Sequence, residues 1–370
     1  MYASRNRQIK PRSALSPRQQ GYVRPVNDQS VPRALIILVG IAGALIILFA
    51  LREVSSIVGP FILALVLVIA VSPVRDWLAR HRLPVWVQVT VPFLILVLVL
   101  VSMAGVLAVS AIQLASLVPT YTRRFATLLE EAKAFAVAHG VSDEQLSQAL
   151  ASFDSSRVIG IAQSLLGSAI GVLSSLFLIV VLLLAMCLDA PATSRILSAG
   201  QYRKPGVVTA LDIFAHKTRR YLIVSTVFGL ASALLDVLAL TLIGIPLPLL
   251  WGVLALIANY IPNIGFVLSL LPPAMLGLLD GGVREMLLVI AAYVVINVIT
   301  QSLILPKYLG DAVGLSTTVT FISLIVWAFV LGPLGAILAI PLSLLAKALL
   351  IDSDPAARWA RALVSNEPVG

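Results

Sequence analysis

Cysteine, histidine and charge are all scarce in this chain. Among 370 residues there is one cysteine, Cys187, and three histidines, His81, His139 and His216, which lie far apart in the sequence. An intramolecular disulfide and a cysteine-based metal site are therefore excluded, and no metal ligand set is predicted. Charged residues make up 12% of the chain, about half the share of roughly 25% usual in soluble domains. The patterns GxxxxGK[ST], GxGxxG, HExxH and GxSxG are missing, as is any nucleophile–base pair. A nucleotide-driven pump and the common hydrolases lose their sequence warrant, no cofactor is implied, and no enzyme is expected.

What is abundant is apolar surface: 59% of residues are hydrophobic and the mean hydropathy is +1.02. Crossing a hydrocarbon core of roughly 30 Å takes about 20 apolar residues per helix. Apolar blocks fall at 34–51, 56–72, 87–110, 164–188, 222–243, 245–279, 286–305 and 317–350. They are apolar all round and do not alternate, which excludes a β-barrel and predicts an all-α polytopic membrane protein with about eight helical segments.

The net charge of +9 is unevenly distributed. Residues 1–33 carry Arg5, Arg7, Lys10, Arg12, Arg18, Arg24 and Arg33 against Asp28 alone. This reads as a disordered basic cytoplasmic tail beside anionic lipid, with no nucleic-acid partner. Region 34–110 supplies three transmembrane helices. The first two are expected to form a tight antiparallel pair turning at Arg52-Glu53, and the loop with Arg75, Arg80 and Arg82 then lies in the cytoplasm.

In 111–160 acids and bases nearly balance, which puts that region outside. Tyr121, Phe125, Leu128, Leu129, Ala132 and Phe135 recur there at helical spacing, and Ser142 with Gln145 forms a capping box for a second short helix. These extracytoplasmic amphipathic helices can cover a transport path, make subunit contacts or lie on the membrane. Arg195, Arg203, Lys204, Lys217, Arg219 and Arg220 return the chain to the cytoplasm, with Arg219-Arg220-Tyr221 anchoring the next span at the interface. Residues 161–350 are expected to form the core that holds the remaining apolar blocks and 351–370 a cytoplasmic tail, so both termini are expected inside.

Blocks 245–279 and 317–350 would each be roughly 50 Å long as straight helices, far beyond the hydrocarbon core. Each carries a break near its middle, Pro262-Asn263-Ile264-Gly265 in one and Gly332-Pro333-Leu334-Gly335 in the other. Proline removes a helix donor and glycine permits the turn. Pro262, Gly265, Gly332, Pro333 and Gly335 are therefore read as tip and hinge formers of two re-entrant hairpins, entering from opposite sides as in inverted-repeat transporters. Full crossings by both blocks satisfy the charge bias equally well. A weak internal echo links Gly59-Pro60-Phe61 to Gly332-Pro333-Leu334.

Three runs carry a resemblance: Ala258-Asn259-Tyr260-Ile261-Pro262-Asn263-Ile264-Gly265-Phe266, then Gln301 to Gly310, then Gly332 to Leu342. In order and spacing the chain resembles the autoinducer-2 exporter (AI-2E) family over roughly residues 35–350. The resemblance implies a multi-pass protein of the bacterial inner membrane. Some members export a furanosyl quorum-sensing signal, and others exchange Na⁺ or Li⁺ for H⁺. It further implies a homo-oligomer, plausibly a pentamer, and an elevator-like movement of the hairpin domain. Asn263 stands where the family often has an aromatic residue, and Phe266 where a second proline is common.

Polar residues inside apolar runs are the candidate substrate and ion ligands. Asp236 sits mid-span, where a charge costs on the order of 2.5–3.5 kcal/mol on insertion scales. It either binds H⁺ or a monovalent cation during a cycle, or is a neutralised or hydrogen-bonded acid that fixes packing. Asn259, Asn263, Asn297, Thr300 and Gln301 form a second group. Asn297 and Gln301 share one helix face, as do Asn297 and Thr300. Their amides suit a small polar solute or a partly dehydrated cation, and serve interhelical hydrogen bonding equally well.

Overall fold

In a computed structural model of the chain, residues 33–139, 155–201, 204–262, 264–304 and 315–353 are described. The basic tail before Arg33, the capping box at Ser142, Asn263 and the tail after Ser353 lie outside them. Every regular element among the described residues is helical, as a chain of all-round apolar blocks demands. Five stretches are long and apolar enough to cross a membrane: Ser55–Arg80, Val85–Leu117, Ser175–Gly200, Pro205–Ile243 and Val283–Gln301.

The chain divides into two units, Met1–Ile47 and Leu48–Gly370. Helix α1 (Arg33–Glu53) begins in the first unit, where Leu38, Val39, Ile41 and Ile46 are exposed. In the second unit, α2 (Ser55–Arg80) follows at once. The antiparallel turn expected at Arg52-Glu53 is not found. Val54 has φ −103° and ψ 17°, and the ladder runs through it, from Val54 N–H to Ala50 C=O and from Val58 N–H to Val54 C=O. The backbone bends there without reversing. The charge that suggests a loop has a packing role instead, because the Arg52 guanidinium lies 4.2 Å from the centre of the Phe329 ring.

Helix α3 (Val85–Ala138, 54 residues) is about 80 Å long at 1.5 Å per residue. The amphipathic segment expected at 121–135 is thus the far end of a spanning helix. Arg124 Nη1 on this arm donates to the Asp280 carbonyl at 2.9 Å. Helix α4 (Ser155–Gly200) packs along α3 and α2, with Leu183 fully buried beside Ala64 and Leu96.

Both overlong blocks fold back on themselves. In the first, α6 (Pro248–Ala258) and α7 (Gly265–Gly281) are joined by a tip closed by Ile261 N–H to Ala258 C=O at 2.8 Å and Gly265 N–H to Ile261 C=O at 3.0 Å. In the second, α9 (Thr317–Leu331) meets α10 (Pro333–Ile337) at Gly332, whose φ of +64° suits glycine alone. Helix α11 (Ala339–Lys347) and a π-helical turn, Ala348–Asp352, complete the return. The arms touch backbone to backbone at the tips: a Cβ on Gly265 would run into the Ala258 carbonyl, and one on Gly335 into the Trp327 carbonyl. Trp327 Nε1 donates to Ser343 Oγ at 3.1 Å and ties the second pair of arms.

Helix α5 (Pro205–Ile243) gives the two hairpins their orientation. Near its end, Leu240 shares a core with Ile245 and Trp251 from the mouth of the first hairpin, with Ala274 and Leu276 from its return arm, and with Val289 of α8 (Val283–Asn297). Near its start, Ala210 and Phe214 share a core with Leu344 and Ala348 from the open end of the second hairpin. Between these, Tyr260 of the first tip packs in the same cluster as Val330, Leu331 and Leu338 of the second, around Tyr221 and Leu222. The hairpins therefore enter from opposite ends of α5 and their tips converge, the arrangement of an inverted repeat. The Gly-Pro echo is a contact as well: a Cβ on Gly59 would come within 3.3 Å of Leu334 Cδ1. Tyr221 is not an interfacial anchor, being 4% exposed, with its hydroxyl donating to the Tyr260 carbonyl at 3.1 Å.

Candidate functional site

Four of the predicted ligand residues line one cavity. Asp236 reaches it from α5, Asn259 from the first tip, and Asn297 and Gln301 from α8 and its continuation. Gly265 forms part of the wall at the start of α7. Thr300 stands beside the cavity, accepting from Ser232 Oγ at 2.9 Å and donating to its own Ile296 carbonyl at 2.7 Å. Pro262, Gly332, Pro333 and Gly335 line no part of it and shape the tips alone. Asn263 lies outside the described residues.

Helix α8 passes at Val298 into a π-helical turn, Val298–Ile304. Such wide turns recur at functional sites because they displace side chains from the α register. Here Asn297, at the end of the α-helix, and Gln301, within the wide turn, both face the cavity, while Thr300 turns to α5. Gln301 Nε2 donates to Asn259 Oδ1 at 2.8 Å, and Asn259 Nδ2 donates to the Ser225 carbonyl at 2.9 Å. Asn259 thus bridges α5 and α8, so that interhelical bonding and cavity lining are both properties of this one residue.

Asp236 is 4% exposed and makes no hydrogen bond or ion pair among the described residues. The Tyr293 hydroxyl, in the same wall, is buried and without a partner, and the residue is 2% exposed. A carboxyl group and a phenol, neither satisfied by a described residue, face a shared space. The cavity measures about 20 Å³ at the centre of a water-sized sphere, against the roughly 10–15 Å³ that one water requires. It therefore suits a single water or a monovalent cation, with a proton on the carboxyl as the alternative way to neutralise it. Among the described residues there is no group of three or more His, Cys, Asp or Glu arranged to hold a metal.

Ser232, Ser269, Phe266 and Tyr293 also line the cavity and escape a reading of polarity alone. A signal for three of them does exist. Ser232 is one turn before Asp236, Ser269 one turn after Gly265, and Tyr293 one turn before Asn297, each on the face of a residue already singled out.

Comparison with known proteins agrees with this architecture. The model described as AI-2E family transporter matches residues 35–353. The AI-2 transport protein TqsA of Escherichia coli K12 is 30% identical over 313 residues, covering 85% of this chain and 90% of TqsA. YhhT of the same strain is 30% identical over 318 residues, covering 84% of this chain and 89% of YhhT. A protein of Haemophilus influenzae is 28% identical over 331 residues, covering 87% and 94%. A family match along nearly the whole chain, five stretches fit to cross a membrane and two opposed hairpins, the first of which helps line a polar cavity, lead to one conclusion: this chain is a multi-pass membrane transporter belonging to the AI-2E family.

Proposed function

We propose that the protein is a secondary transporter of the bacterial inner membrane that exports a small polar solute, of the class of a furanosyl quorum-sensing signal, by alternating access of its hairpin core. The observation that carries this reading is the cavity in which Asp236, without a hydrogen-bond or ion-pair partner among the described residues, faces side-chain amides from a hairpin tip and from α8. Amides both donate and accept, and so match the hydroxyls of such a solute. The AI-2 transport named for TqsA supports the same solute class. With no nucleotide-binding motif in the sequence, an ion gradient is the drive.

Exchange of Na⁺ or Li⁺ for H⁺ is a second reading, and the size of the cavity favours it. A space of about 20 Å³ accommodates one water or one bare monovalent cation. Flux into proteoliposomes under imposed pH gradients separates the two, using labelled signal molecule in one arm and labelled sodium in the other. Signal movement driven by the gradient supports export, and sodium moving against protons supports exchange. Flux of neither overturns both and leaves a membrane scaffold. Asp236→Asn is expected to lower gradient-driven flux about tenfold, the equivalent of ~1.4 kcal/mol in ion binding. Wild-type flux with unchanged pH and sodium dependence would remove Asp236 from the coupling.

A further inference from the structure

Along α5 the cavity is flanked by two packings that differ in chemistry. Beyond Asp236, toward the end of α5, the next turn meets Leu240, Trp251 and Val289, a core held by burial alone apart from the Trp251 Nε1 bond to the Pro246 carbonyl. Toward the start of α5 the packing is polar and stepped. One turn below Ser232 is Gly229, whose missing side chain leaves room for Asn259: a Cβ there would come within 2.8 Å of Asn259 Nδ2. One turn further, Thr226 Oγ1 lies 2.6 Å from Tyr260 OH. The single hydroxyl hydrogen of Thr226 goes to the Leu222 carbonyl at 2.6 Å, so Tyr260 is the donor in that pair. Below it, Tyr221 OH donates to the Tyr260 carbonyl. The tip of the first hairpin is thus pinned to α5 by Tyr260 as well as by Asn259, and the Tyr260 ring packs against the cluster that holds Val330, Leu331 and Leu338 of the second hairpin.

We propose that Tyr260 is the gate of the Asp236 cavity on the side of the second hairpin, held shut by Thr226 and Tyr221, and that release of these two hydroxyl contacts opens the cavity to that side. Tyr260 is a positioning residue and no ligand. The inference rests on the transport reading for its purpose, but not for its test.

Cys187 is the sole cysteine, so Cys187→Ser gives a cysteine-free background in which Ser269→Cys reports from the cavity wall. A membrane-impermeant thiol reagent is applied separately to each face of oriented vesicles. Intramembrane hydrogen bonds average about 0.6 kcal/mol each, so the double variant Tyr260→Phe/Tyr221→Phe, which keeps both rings, is expected to speed labelling roughly tenfold. The acceleration occurs only from the face where α5 begins. Thr226→Val, which removes the acceptor and keeps the shape, gives a smaller acceleration from the same face, and serves should the double variant fold poorly. Unchanged labelling, or acceleration from the opposite face or from both, would overturn the gate. Normal gating of the label with no solute or ion flux would instead count against the transport reading.

Discussion

A phenol without a hydrogen-bond partner in a membrane core is a cost with no structural return. Tyr293 is buried in the same wall as Asp236, and its hydroxyl meets no partner among the described residues. Desolvating an unpaired hydroxyl costs on the order of 1–3 kcal/mol, whereas removing it leaves no orphan behind. Tyr293→Phe should therefore be neutral or stabilising by about 1 kcal/mol in thermal unfolding in detergent. If the hydroxyl contacts the transported species or its water, the same variant should raise the KM for flux severalfold with little change in maximal rate. Lost stability together with unchanged KM would show a packing role instead. Asn259 contrasts with this, since its amide is satisfied on both sides. Within the cavity wall, the residues with the most to gain from a ligand are Asp236 and Tyr293, which no described residue satisfies.

At the scale of elements, both hairpins depend on backbone approaching backbone. Gly335 lies where any Cβ would meet the Trp327 carbonyl, so Gly335→Val forces the arms of the second hairpin apart. Overpacking of this kind costs about 1–3 kcal/mol, here with the further loss of the Trp327–Ser343 bond. The expected outcome is a lower unfolding temperature and weaker quenching of Trp327 fluorescence. An unchanged melting curve would mean that the arms are loosely held. These breaks are legible in the sequence because proline and glycine act locally: Pro262, Gly265, Gly332 and Pro333 mark the folds of blocks too long to cross once. Asp236, Asn259, Asn297 and Gln301 are legible for a related reason, as polar groups stand out where polarity is expensive. Ser232 and Ser269 are legible only through their spacing from Asp236 and Gly265, because a serine can bond its own helix and pass unnoticed in lipid, as Ser269 does with the Phe266 carbonyl. The bend at Val54 and the inward turn of Tyr221 are misread from sequence for the opposite reason. Arg52 and the Arg219-Arg220 pair advertise an interface, while Phe329 packs against Arg52 and Tyr260 holds Tyr221, both partners distant in the chain.

For the molecule as a whole, α5 is the member against which both hairpins are set, and its two ends are held differently. The end near Leu240 is joined by apolar packing, reinforced by Arg124 of the α3 arm on the Asp280 carbonyl. The start is joined by the second hairpin's return arm, where Lys347 and Asp352 form an ion pair at 3.7 Å with side chains 7% and 10% exposed. An ammonium so enclosed depends on its carboxylate, and removing one partner of a buried pair costs about 3–5 kcal/mol, much of it the stranded charge. Asp352→Asn should therefore lower the unfolding temperature sharply. Lys347→Met/Asp352→Leu, which removes both charges and keeps the volume, should recover most of the loss. If the double variant is as unstable as the single one, the pair is not what holds the arm. If it is stable yet transports slowly, the ion pair serves the movement of the second hairpin along α5 more than its folding. Only the second outcome would tie the far end of the molecule to the cavity at Asp236, because the tips of both hairpins meet in the one cluster around Tyr221.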